Sequence, residues 1–116
     1  MKTYLKIKDT LYPATFRGRM QDHEWNGRNS IAVTVNMSYA EAAALFTENL
    51  QWSLVRQPEA YPDADGKTFL PQTVETDYSD YCKAGPITDN RDGTVTAKMG
   101  KITAEEALAE LMEVLA

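Results

Sequence analysis

Few residues in this 116-residue chain have the chemistry of a nucleophile or a base. His23 is its single histidine and Cys82 its single cysteine. A Ser-His or Cys-His device would therefore have to use His23, which lies in a polar loop beside Asp22 and Glu24. We expect His23 to be exposed and Cys82 to be a small buried residue near a strand. The sequence predicts no catalytic residue.

Two acidic turns are similar to the start of a calcium-binding loop. They are Asp63-x-Asp65-Gly66 and Asp89-x-x-Asp92-Gly93. A calcium loop needs a bidentate Glu six residues beyond its glycine, but Gln72 and Met99 occupy those positions. One Cys and one His also make no structural zinc site without carboxylates, and the chain has neither a glycine-rich phosphate loop nor a nucleophile elbow. The two segments are predicted to be turns, and we predict no metal, cofactor or small-molecule ligand.

A basic, aromatic cluster is the remaining candidate. Arg17 and Arg19 share one face of a predicted strand, and Trp25 and Arg28 follow in the next loop. Such a patch can bind nucleic acid, but the net charge of −5 opposes phosphate and no recognition helix is evident. Trp25 is either a lid over the core or an interface anchor. We predict one exposed protein-interaction surface, with further aromatic contacts from a protrusion: Arg17, Arg19, Trp25, Arg28, Tyr61 and Phe69.

Charge and composition restrict the class of protein. The chain is 43% hydrophobic and 25% charged, which is typical of one globular domain, residues 1–116. Residues 1–30 hold six basic and three acidic side chains, a balance of +3, so the rest carries −8. The basic face formed by residues 1–30 and the acidic face formed by the rest either pack head to tail between molecules or are simply solvated. No apolar run is long enough for a membrane and the first residues lack a signal-peptide core, which predicts a cytoplasmic protein when made.

The elements that must position these residues follow a repeated pattern. Residues 31–37 alternate as a strand does and lead into Ser38-x-x-Glu41; residues 95–99 do the same and lead into Thr103-x-x-Glu106. Each is a strand followed by a helix capping box. The sequence predicts an α+β fold, a mainly antiparallel sheet with two helices packed on it and two ββα-like halves.

Further elements are predicted from local signals. They are an N-terminal hairpin over 5–8 and 11–16, a helix over 39–49, strands over 51–56 and 78–82, a hairpin over 86–89 and 94–99, and a helix over 104–115. Pro13 cannot donate to a strand ladder, so the second strand is predicted either to be an edge at that point or to have that position facing out. Residues 58–75 predict an irregular or protruding hairpin insertion. The last helix is expected to bury Ala107, Leu108, Leu111, Met112 and Leu115 and to expose Glu105, Glu106, Glu110 and Glu113.

This chain resembles small prophage-encoded proteins of gut-dwelling Firmicutes in two stretches. The first comprises residues 85–94, Lys98-Met99-Gly100-Lys101 and Thr103-x-x-Glu106, and the second comprises residues 25–30 and 37–42. The resemblance covers most of the chain except 58–75. It implies a component of a phage-like particle near the tail or baseplate, or an accessory that assists assembly, and it implies no catalytic residues.

Two functions therefore stand as expectations. The first is a non-enzymatic structural or interaction protein of a phage-like particle, which would be incorporated in that particle and would associate with protein partners, a second copy among them. The alternative is a monomeric cytoplasmic module that binds a protein or peptide, by strand addition at the Pro13 edge or through an exposed aromatic side chain. Self-association separates the two, whereas an enzyme would need a deep pocket with converging polar groups. Neither nucleic acid nor membrane is a predicted partner.

Overall fold

The computed structural model describes residues 2–62, 64, 66–69 and 72–115, which form nine strands, two helices and one 3₁₀ turn. The strands are β1 (Lys2–Ile7), β2 (Thr10–Asp22), β3 (Arg28–Val35), β4 (Ser53–Gln57), β5 (Tyr61–Pro62), β6 (Thr68–Phe69), β7 (Val74–Asp77), β8 (Lys83–Asp89) and β9 (Val95–Gly100). The helices are α1 (Tyr39–Leu45) and α2 (Ala104–Leu115), and the 3₁₀ turn His23–Trp25 joins β2 to β3.

Seven of these strands form one antiparallel sheet, in the order β7-β4-β1-β2-β3-β9-β8. The fold is therefore α+β and mostly sheet, as predicted. The units β2–β3–α1 and β8–β9–α2 are each a hairpin followed by a helix. They meet where β3 pairs with β9, with Val33 opposite Ala97. The two ββα halves thus lie side by side and are joined by this strand pair.

One face of the sheet carries the core. Leu5, Val33, Val35, Ala97 and Met99 are fully buried or nearly so, and they alternate with residues of the opposite face as period-two strands require. α1 lies against β8 and β9 and adds the buried side chains of its own residue 42 and of residue 46. α2 has no comparable packing against any element within the described ranges.

The capping box is complete at α2, whereas at α1 the N-cap hydroxyl is in place and the Glu41 carboxylate meets that hydroxyl instead of the Ser38 N–H. Ser38 Oγ accepts from the Glu41 backbone N–H at 3.1 Å and contacts the Glu41 carboxylate at 3.2 Å. At α2, Thr103 Oγ1 accepts from the Glu106 N–H at 3.2 Å, and the Glu106 carboxylate accepts from the Thr103 N–H at 3.0 Å. Hydroxyl and Glu side chains three residues apart thus start both helices, as the sequence predicted.

Several predicted boundaries were wrong. β2 runs to Asp22 rather than ending near residue 16, and β3 spans 28–35 rather than 31–37. α1 ends at Leu45 instead of continuing to residue 49, because Phe46 leaves the helical conformation with φ −88° and ψ 76°; Asn49 then adopts φ 65° and donates its N–H to the Cys82 carbonyl. Residues 78–82 form a turn closed by Tyr81 N–H and the Tyr78 carbonyl, not a strand.

The segment 58–75 contains a small separate hairpin. Among the strands that the structure describes, β5 pairs with β6 alone, with Tyr61 opposite Phe69, and β7 rejoins the main sheet at Val74. The predicted turn residues Asp63 and Asp65 lie outside the described residues. The molecule measures 61 × 36 × 28 Å, and its radius of gyration is 17.0 Å against about 13 Å for a compact chain of this length. The chain is elongated.

Two glycines let the 3₁₀ turn lie against the sheet. A Cβ added at Gly85 would lie 2.7 Å from the Lys98 carbonyl oxygen and 2.8 Å from the Trp25 ring, and one at Gly100 would lie 2.7 Å from the same ring. We expect Gly85→Ala to lower the free energy of unfolding by about 1–3 kcal/mol, because the added methyl group would displace the Trp25 ring from its position against the sheet. Urea unfolding followed by tryptophan fluorescence measures this.

Gly18→Ala is the matched control, since Gly18 also lies in a strand but no heavy atom would lie within 4 Å of its added Cβ. It should unfold at the wild-type urea concentration or slightly above it. Equal unfolding of the two variants would show that Trp25 does not depend on the close approach to Gly85.

Candidate functional site

Trp25 is positioned by a tight turn at the end of β2. Asp22 caps the turn, because its Oδ1 accepts from the Glu24 N–H at 3.0 Å. Asn26 and Gly27 then take φ 54° and 81°, and Gly27 N–H donates to the Asp22 carbonyl at 2.8 Å. The chain reverses into β3 and leaves the indole half-buried on the sheet. Trp25 lies beside a strand face, not in the core.

Asp22 is the centre of a buried charge network. Its carboxylate is fully buried and lies 2.8 Å from Lys98 Nζ and 3.0 Å from Ser30 Oγ. Lys98 also contacts Glu24 at 3.0 Å. The hydrogen bond from Lys98 holds the pKa of Asp22 well below its usual range, against the opposing effect of burial. The same contact raises the pKa of Lys98.

Arg28 connects β3 to α2. Its Nη1 and Nη2 lie 2.6 and 3.1 Å from the two carboxylate oxygens of Glu106, and Nη1 also donates to the Lys101 carbonyl at 2.8 Å. The guanidinium lies 5.3 Å from the Trp25 ring centroid, in cation–π contact. The bond from Arg28 lowers the pKa of Glu106 to about 2. This bidentate pair is the main tie between α2 and the sheet.

The predicted surface residues are only partly together. Trp25 contacts Arg28, and Arg19 reaches Asp22 at 3.4 Å. Arg17 lies two residues from Arg19 on the same strand, exposed. Arg28 is largely covered, since 18% of its side chain is exposed. Tyr61 is paired with Phe69 in the small hairpin, where their side chains lie outside the described part. Their joint action as an interaction surface stays a prediction.

The other chemical candidates occupy structural positions. His23 is exposed in the 3₁₀ turn. Cys82 is buried, and this burial raises the pKa of its thiol. Asp89 and Asp92 form side-chain turns, accepting from the N–H groups of residues 91 and 94 at 2.9 Å each. Over the described residues, no three His, Cys, Asp or Glu side chains converge as a metal site would require.

The apolar stripe of α2 faces away from the protein, which overturns its predicted burial. Leu108, Leu111 and Met112 are 58, 54 and 63% exposed, and Ala107 is exposed as well. The side chain of Leu115 lies outside the described part. We call Ala107, Leu108, Leu111 and Met112 the outer face of α2. Helical periodicity does not reveal this surface, because an amphipathic helix ordinarily turns its apolar side inward.

Ion pairs explain this orientation. Glu106 and Glu110 are four residues apart and share one side of α2. Glu106 binds Arg28, and Glu110 binds Lys83 at 2.9 Å. Lys83 also reaches Glu48 at 3.5 Å, and its pKa is raised chiefly by Glu110. Of the four glutamates that were expected to face water, Glu106 and Glu110 therefore face the body of the protein and Glu105 and Glu113 are exposed, while the apolar side is left outside.

A shallow groove lies at the other end of the sheet. It has a volume of about 560 Å³ and is lined by β1, β2, the end of β3 and Thr94. β3 ends at Val35, opposite Ala14, so none of the described strands pairs with β2 on that side at Pro13. Tyr4, Pro13 and Val35 contribute apolar surface to its lining, and Lys2 is the single charged residue among the described residues that line it. We call this the β1–β3 groove.

Comparison with known proteins gives no family for this chain: no family model, curated protein or solved structure matches it. Within the described residues, neither helix has the length and apolar character needed to cross a membrane.

Proposed function

We propose that this chain is a non-enzymatic interaction protein that docks through the outer face of α2. One observation carries the proposal: three large apolar side chains, Leu108, Leu111 and Met112, are each more than half exposed on one side of a helix. Contiguous exposed apolar patches of this kind mark interaction sites. The ion pairs of Glu106 and Glu110 hold the helix in the orientation that displays them.

The setting that we propose is a phage-like particle, with this chain as a component or an assembly accessory. The support is the resemblance of its two ββα segments to small prophage-encoded proteins. An elongated molecule that displays an apolar helix face suits repeated contacts between subunits.

Particle fractionation tests this proposal. Lysates of an induced prophage-bearing source strain are separated on a density gradient, and the chain is followed by immunoblot. We expect the wild type to sediment with mature or partly assembled particles and Leu108→Gln/Leu111→Gln to stay in the soluble fractions. Ala109→Gln is the control, because Ala109 is exposed on α2 outside the outer face. A wild-type chain that never enters a particle fraction would refute the proposed setting.

A second candidate function is a monomeric module that binds a protein or peptide segment. The β1–β3 groove favours it, because β2 offers an unpaired stretch there beyond the end of β3. The same groove is also a candidate contact surface between two copies of this chain.

A further inference from the structure

Two surfaces of this molecule lack a partner, and they are complementary. The outer face of α2 is apolar and convex, and the β1–β3 groove is shallow, with apolar surface between its threonine side chains. The two surfaces also differ in charge. Glu106 and Glu110 of α2 are bound by Arg28 and Lys83, which leaves Glu105 and Glu113 exposed on the helix. Lys2 lines the groove, and Arg17 is exposed on the same strand as Thr15. No acidic residue occurs among the described residues lining the groove.

We propose that the outer face of α2 docks into the β1–β3 groove of a second copy of this chain, forming a head-to-tail assembly. The inference rests on the proposed function, because it assigns a partner to the same helix face. A contact between two different surfaces is heterologous and leaves one free surface of each kind at the ends. Repetition therefore closes a ring or extends a filament.

The groove of the same molecule is out of reach of α2. Thr94 lines the groove, and β9 then runs six residues away from it to Gly100 before α2 begins. Such a strand spans about 20 Å, and only residues 101–103 separate it from the helix. Arg28 also binds Glu106 at the distal end. The occupant must therefore come from another molecule.

Pairing of two α2 helices with each other is disfavoured by charge. Glu105 and Glu113 are exposed near the two ends of the helix, so either a parallel or an antiparallel pair would bring carboxylates of the two copies together. A 12-residue helix is also only about 18 Å long. The area that it can bury against a second helix falls short of the roughly 800 Å² per partner of a stable interface. A groove can bury more of the surface of the helix.

Mass measurements on two complementary variants test the head-to-tail contact. Leu108→Gln/Leu111→Gln disables the helix face. Thr15→Glu places a carboxylate in the groove, where it would repel the glutamates of α2. Ala109→Gln and Thr10→Glu are the matched controls, since Thr10 lies on β2 outside the groove lining. Size-exclusion chromatography with light scattering is run from micromolar to near-millimolar protein, and circular dichroism confirms that each variant is folded.

We expect the mass of the wild type and of both controls to rise with concentration and to fall again in 1 M salt, where the screening length is ~3 Å. Each disabling variant alone should remain a monomer of 13.0 kDa. Their equimolar mixture should form a dimer and grow no further, because one variant supplies an intact helix face and the other an intact groove.

Three outcomes would overturn the inference. A wild type that is monomeric at every concentration excludes self-docking; the proposed function then still stands or falls on the particle gradient. Self-association of Thr15→Glu at the wild-type concentration shows that the groove is not the acceptor and favours pairing of α2 with α2. A mixture of the two disabling variants that stays monomeric shows that their surfaces do not meet.

Discussion

Asp22→Asn should lower the melting temperature by on the order of 10 °C, because it leaves the Lys98 ammonium without its buried partner. The Asp22 carboxylate is fully buried and accepts from Lys98, Ser30 and the Glu24 N–H. An amide of the same shape keeps the volume but removes the charge. Trp25 should also lose its fixed position, since Asp22 caps the turn that carries it. Thermal unfolding by circular dichroism measures the shift.

Asp80→Asn is the control for this prediction. Asp80 pairs with Lys101 at 3.7 Å, with about half of each side chain exposed, and exposed pairs of this kind contribute little. We expect its melting temperature to stay within about 2 °C of wild type. If the two variants melt alike, the buried network is not what holds the turn.

The pH dependence gives a second readout of Asp22. Its pKa is lowered in the folded state, so its stabilising contribution is present above the unfolded value of about 3.9 and is lost as the pH falls below that value. The difference in melting temperature between wild type and Asp22→Asn should therefore shrink below about pH 4. A difference that is constant from pH 7 to pH 3 would exclude an electrostatic origin.

Local signals explain which elements the sequence predicts correctly. Ser38 with Glu41, and Thr103 with Glu106, act over three residues, so both helix starts are visible without tertiary structure. The turn at 90–94 is equally local, since Asp92 accepts from the residue that follows Gly93. The alternation of β3 and β9 predicted their common buried face, because burial in a sheet follows the strand period.

The functional surfaces depend on contacts distant in sequence and were not predictable in this way. Asp22 meets Lys98 across 76 positions of the chain, and nothing near Asp22 in the sequence distinguishes it from an exposed loop residue. Periodicity predicted the apolar stripe of α2 but not the direction in which the stripe faces. That direction is determined by Arg28 on β3, which binds Glu106 from 78 positions away in the sequence. A capping glutamate that also binds Arg28 turns the stripe outward.

Glu106→Gln should release α2 from the sheet, with at least a tenfold loss of protection of the α2 amides against hydrogen exchange. An isolated helix of twelve residues is marginal in water, and α2 is tied to the body chiefly through Glu106 and Glu110. Gln retains the capping geometry at this position but removes the charge that Arg28 binds. The amides of β3 and β9 should keep their protection, because these strands carry the core and no described side chain of α2 belongs to it.

Glu113→Gln is the matched control on the same helix. Glu113 is exposed near the C-terminal end of α2 and has no ion-pair partner among the residues described. Removing a negative charge from that end suits the helix dipole, so the α2 amides should be as protected as in the wild type or slightly more. An equal loss of protection in both variants would assign the effect to helix propensity and not to Arg28.

Acid should reproduce the Glu106→Gln effect in the wild type. Arg28 lowers the pKa of Glu106 from 4.5 to about 2. The stabilisation of the folded state by this ion pair is therefore complete above pH 4.5, the unfolded pKa. It weakens as the pH falls from 4.5 to 2 and is lost below about pH 2. NMR shifts of α2 should therefore move toward coil values between pH 4.5 and 2, while Glu106→Gln already shows them at pH 7. Helical α2 shifts in the variant at neutral pH would mean that other contacts hold the helix, and its outward apolar face would then not depend on Arg28.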